Sequence, residues 1–142
     1  MVNFNNIPEW WALCPGYDCP RKEGCLRHLA CTQAPAEVKK WRCVLPNVLD
    51  NGECEFFRDA EKVMMAKGLN AIYNNVSSKQ ARSCIRKHLT DFLGSKGTYY
   101  RYKDGERLIN PNLQQEIRDI IHFYVPGTEV GFDETYEDYD FT

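Results

Sequence analysis

The sequence predicts an α+β fold, a small single domain over residues 1–142. It divides into a turn-rich, cysteine-bearing N-terminal section (1–58), a helix–β-hairpin–helix section (59–127) and an acidic, aromatic tail (128–142). Three observations carry this. Five of the seven cysteines fall before residue 44, in a stretch punctuated by proline and glycine. Two later segments carry apolar residues at a period near 3.6. Between them, Asp104-Gly105 joins two strand-like runs.

Residues 1–24 contain Pro8, Pro15, Gly16, Pro20 and Gly24, all turn formers. Cys25–Ala30 fits two helical turns with Leu26, Leu29 and Ala30 on one face. Val38–Leu45 alternates in part and is rich in β-branched and aromatic residues, which fits a strand. Pro46-Asn47 and Asp50-Asn51-Gly52 are turns. Glu55–Lys67 fits either a helix or a strand at Val63–Ala66 that ends before Gly68, and a short helix over Asn70–Asn75 follows. Ser77 or Ser78 caps a helix to about Leu93. Its stripe is Ala81, Ile85, Leu89 and Phe92, with Cys84 and His88 beside it and Gly94 at the C′ position. Thr98–Ile109 reads as a hairpin, because a type I′ turn favours Asp-Gly. Asn110 then caps a helix with Pro111 at its first position. Leu113, Ile117, Ile120, Ile121 and Tyr124 form its stripe, and it stops before Pro126-Gly127.

At 43% hydrophobic and 27% charged residues, the chain is ordinary for a folded domain, which argues against disorder. The first residues carry no basic and apolar leader pattern. No apolar run approaches the roughly 18 residues of a membrane span. A cytoplasmic location and no membrane partner follow as expectations. Thiols there stay reduced, and an odd number of cysteines cannot all pair internally, so metal is favoured over disulfides. The net charge of −2 is unevenly spread. Residues 79–107 hold Lys79, Arg82, Arg86, Lys87, Lys96, Arg101, Lys103 and Arg107 against Asp91, Asp104 and Glu106. Residues 128–142 hold six carboxylates and no base. Either the acidic end folds onto the basic middle, or the middle is a phosphate-binding face.

Thiolates are soft ligands that suit zinc and iron–sulfur clusters. Cys14, Cys19 and Cys25 are separated by four and five residues, and proline and glycine supply the turns that let such a loop converge. The spacing is looser than paired C-x-x-C motifs, and a [4Fe–4S] cluster is the alternative to zinc. If 25–31 is helical, Cys31 lies about 240° around from Cys25 and points away. His28 shares the Cys25 face, and Cys54 returns after a turn. The favoured set is Cys14, Cys19, Cys25 and Cys54, with His28 and Cys31 as substitutes. The simpler reading of Cys31, Cys43 and Cys84 is burial.

These residues sit in a longer pattern. It runs Cys14-x₄-Cys19-Pro-x₄-Cys25-Leu-Arg, Cys54-x-Phe-Phe-Arg58, Tyr99-Tyr-x-Tyr-x-x-Gly-Glu-Arg107, Asn110-Pro-x-x-Gln-Gln-x-Ile117, and a late Phe132-Asp133 with Tyr136. The pattern resembles a family of short bacterial cysteine-motif proteins with no assigned activity, a domain of unknown function. The resemblance covers nearly the whole chain. It implies that Cys14, Cys19, Cys25 and Cys54 belong together and that the domain is one unit, and it implies no reaction. Glu55 stands where the family pattern leads one to expect proline.

No G-x-S-x-G, P-loop or H-E-x-x-H motif is present, and no cysteine has a local base. His88 and His122 read as packing residues, so a catalytic role is poorly supported. If Tyr99–Lys103 is a strand, Tyr99, Arg101 and Lys103 share one face. With Arg82, Arg86 and Arg107 they form a candidate nucleic-acid surface. A solvated hairpin face is the plainer reading. The expected function is a binding or regulatory module held by a structural metal, its partner an unidentified protein or nucleic acid. A [4Fe–4S] redox protein is the competing class, and the oligomeric state is left open.

Overall fold

Serine, asparagine, proline and glycine set the element boundaries in the computed structural model, which describes residues 1–142. The chain forms two units, Met1–Lys62 with Phe141–Thr142, and Val63–Asp140. The class is α+β, with four α-helices and one two-stranded antiparallel sheet.

In the second unit β1 (Val63–Lys67) pairs antiparallel with β2 (Glu134–Asp138), in a register that sets Met65 opposite Tyr136. On the other edge of β1, Ala66 exchanges both backbone hydrogen bonds with Ile109, each at 2.9 Å. A 3₁₀ turn at Ala71–Tyr73 follows. Helix α2 (Lys79–Leu93) starts at Ser78, whose side chain accepts from the Ala81 N–H. It ends at Gly94, which holds φ 106°, a conformation that favours glycine. The next residue, Ser95, caps α3 (Lys96–Lys103) by accepting from the Thr98 N–H. Helix α4 (Pro111–Tyr124) is capped by Asn110, with Pro111 in its first turn. Helices α2, α3 and α4 close over β1 around Ala66, Leu69, Ile85, Leu89, Tyr99, Ile109, Ile117 and Ile121.

The expected hairpin over 98–109 is corrected to α3. Asp104-Gly105 serves as the helix C-terminus instead of a type I′ turn. Asp104 has φ −84°, and only Gly105 is left-handed, at 83°. The Gly105 N–H donates to Tyr102 O and the Glu106 N–H to Arg101 O, the paired bonds of a Schellman cap. An Asp-Gly pair satisfies either motif. The Ser95 cap and the spacing of Tyr99, Tyr102 and Lys103 decide for helix. The sheet is formed instead by β1 with residues 134–138 of the acidic, aromatic tail. Phe92 is exposed, and Leu93 packs against the core in its place. Cys84 is half-buried.

The first unit is mostly loop. Helix α1 (Leu26–Thr32) buries Leu26 and Ala30. Trp11, Leu13, Val44 and Phe141 are also buried there. The expected strand over 38–45 reduces to one parallel bridge between Leu13 and Cys43, where the Val44 N–H donates to Leu13 O at 2.9 Å. Trp11 packs edge-on against Phe141, and the Arg27 guanidinium lies 4.4 Å over its ring. No helix is long and apolar enough to cross a membrane.

Candidate metal centre

Cys14, Cys19, Cys25 and Cys54 line one cavity of about 20 Å³ in the first unit, together with His28, Lys22 and Arg27. Local hydrogen bonds explain how residues forty positions apart meet. The Cys14 N–H donates to Arg27 O, which ties the first cysteine to α1. The Cys19 N–H donates to Gly16 O and closes a turn, and the Cys25 N–H donates to Lys22 O as the chain enters α1. The last segment is drawn in by an antiparallel bridge between Cys25 and Asp59 and by the Leu26 N–H, which donates to Arg58 O at 2.7 Å.

Gly16 is essential to this loop. It holds φ 98°, and a Cβ there would stand 2.7 Å from the His28 ring. Its N–H donates to Cys14 Sγ at 3.4 Å, a contact that favours the thiolate. Burial nevertheless pushes the Cys14 thiol up, and the neighbouring thiols Cys25, Cys19 and Cys54 add to the rise. Three of these thiols also act on Arg27. Burial and Arg58 lower its pKa, while Cys25, Cys54 and Cys14 raise it.

Together the four cysteine side chains are a sulfur-only donor set. Four thiolates on a divalent ion carry a double negative charge, and Lys22 and Arg27 stand in the wall to offset it. No three His, Cys, Asp or Glu side chains are arranged closely enough to hold a metal ion. Of the two substitutes, His28 lines the cavity, with Nδ1 3.2 Å from Cys14 O, and Cys31 does not. Burial raises the Cys31 thiol first, then its neighbour Cys43. Cys43 itself is exposed, which corrects the burial reading for that residue.

The expected nucleic-acid face is assembled differently from the strand reading. On α3, Tyr99 and Lys103 lie one turn apart with Lys96 and Tyr100, and Arg101 projects from another side. Tyr99 is 1% exposed, and its hydroxyl is 2.7 Å from that of Tyr73. It is a core residue reaching a groove floor, not a free stacking face. Arg107 also stands apart, its guanidinium 5.8 Å from the Tyr102 ring. Arg82 and Arg86 on α2 face Tyr99 and Tyr100 across a groove. Lys79, Lys87 and Lys96 line it too. These three belong to the basic segment 79–107 and add to the site expected from sequence. Their helical spacing was the available signal. The remaining histidines have local partners, His88 with Tyr124 and His122 with Thr128 O.

The profile of a family of unknown function (DUF6078) matches residues 1–141. No curated protein and no solved structure matches the chain.

Proposed function

Because the chain belongs to this family of unknown function, we propose its role from its own residues: a single zinc ion held by Cys14, Cys19, Cys25 and Cys54 fixes the first unit, and the protein acts as a binding or regulatory module. One observation carries this, the meeting of four cysteines from separate turns at one cavity. Zinc bound there would supply folding free energy to a loop-rich unit with a small core. Four thiolates fill its tetrahedral shell and leave no position for a substrate, so function falls to a surface.

Metal analysis of protein purified under reducing conditions without chelator tests this. About one zinc per chain, lost in Cys54→Ser, is the expected result. Brown protein with iron and sulfide would overturn zinc in favour of the cluster. Metal-free protein with seven titratable thiols would overturn both.

A further inference from the structure

We propose that the groove between α2 and α3 binds single-stranded nucleic acid. Two open cavities, of about 380 and 500 Å³, share Ser83, Arg86, Tyr99 and Tyr100 and so form one continuous groove. Helix α2 turns Lys79, Arg82, Arg86 and Lys87 toward it, and α3 adds Lys96 and Lys103. Both sets recur at the spacing of a single helical face. Six cations line the groove and no carboxylate does.

The protein's own acidic segment does not fill it. Residues 134–138 are committed to β1. Asp133 is held by Asn70 and by the Ala71 N–H, and with Asp104 and Glu134 it lines a separate pocket that meets the groove only at Asn70 and Lys103, beside Lys67. The cations are also partly preorganised. Arg82 donates from Nε to Val76 O and from Nη2 to Tyr73 O, which fixes its plane in the groove wall.

The aromatic content selects the polyanion. Tyr100 is 39% exposed on the groove, and its ring is set edge-on against the buried Tyr99, with centroids 5.4 Å apart. A ring held this way is a platform for an unstacked base, with phosphates on the flanking cations. A duplex hides its base faces, whereas a single strand offers both a base to the ring and phosphates to the cations. The proposal builds on the binding-module reading and does not depend on the metal, since every groove residue lies in the second unit.

The test is fluorescence anisotropy of the full chain with labelled oligo-dT and oligo-U of about 15 nucleotides. Binding should weaken with salt at a log–log slope of about −4, from roughly −0.7 per phosphate neutralised at six sites. Arg86→Glu should weaken binding more than tenfold and flatten the slope. Tyr100→Ala should weaken it at least fivefold and leave the slope unchanged, because stacking carries no counterions. Arg101→Glu, outside the groove on the same helix, should change binding less than twofold. Lys87→Glu repeats the charge test at an exposed position if Arg86→Glu melts early. No binding at low salt, equal loss in Arg101→Glu, or equal competition by duplex or by polyglutamate would overturn the proposal. Any of these in protein that still carries one zinc per chain would leave the metal reading standing.

Discussion

Gln114 offers the sharpest test of how the second unit is held. It is 6% exposed on α4, and its Nε2 donates to Met64 O at 2.8 Å and to Ile109 O at 3.0 Å. Peptide groups of alternate residues point the same way along a strand. Ala66 bonds Ile109 on this edge of β1, so Met64, two residues earlier, faces the same side. The amide of Gln114 thus continues the ladder where no strand exists. Gln114→Met keeps the volume and removes both donors. Ile109 O retains the Ala66 N–H and loses about 1 kcal/mol. Met64 O loses the donor on this edge, at a cost of about 1–3 kcal/mol. The expected loss is about 3 kcal/mol in urea unfolding followed by far-UV circular dichroism, with faster exchange of the Ala66 amide. Gln114→Glu should cost more at neutral pH, because its carboxylate would face two carbonyls. Its folded pKa would be raised above the ordinary value of about 4.3, so the native state would bind the extra proton. Stability of that variant should therefore fall as pH rises from 4 to 7. A Met variant within about 0.5 kcal/mol of the parent, or a Glu variant with no such slope, would refute the reasoning.

Other outcomes follow from the same structure. Gly68→Ala should destabilise by about 2–4 kcal/mol, since φ is 85° and a Cβ would strike the Asp133 side chain that holds Ala71; calorimetry checks this, and an unchanged melting temperature counts against it. Ile85→Ala, at a fully buried site on α2, should cost about 3–4 kcal/mol in the same assay. Burial, then the hydrogen bond to Tyr99, pushes the Tyr73 hydroxyl far up, and burial raises Tyr99 as well. Both keep their protons in the fold above pH 10, where an unfolded tyrosine loses its own, so stability should fall as pH rises beyond 10. Ultraviolet titration should show these two ionising only with unfolding, and the Tyr73→Phe, Tyr99→Phe pair should flatten that alkaline slope. Chelation of zinc, or Cys54→Ser, should alter the fluorescence of Trp10, Trp11 and Trp41, which all lie in the first unit. Unchanged fluorescence would argue against a metal that holds that unit.

The sequence was most readable where one residue type answers one physical need. Ser78, Gly94, Asn110 and Pro111 mark the ends of α2 and α4 because caps and left-handed termini admit few alternatives. The cysteine set was legible in part. Cys14, Cys19, Cys25 and Cys54 line one cavity and Cys31 does not, but Cys25 is the extended residue before α1, so the helical angle drawn between it and Cys31 does not apply. Helix α3 was misread because tyrosines favour strands and Asp-Gly suits two different termini. That error also mispaired the basic residues, placing Arg101 with Tyr99 where Lys96 and Tyr100 belong. Strand β2 was hidden by its composition. Glu134, Glu137 and Asp138 read as a solvated tail, and pairing with β1 is a long-range event that no local pattern encodes.

That acidic strand has a consequence for how the molecule behaves in a crowded solution. β2 is bonded to a strand on one side only, and an open strand edge invites pairing with another chain. Here three carboxylates in five residues meet any approaching copy of themselves with like charge. That like charge guards the exposed edge of β2 against pairing with a second copy of itself.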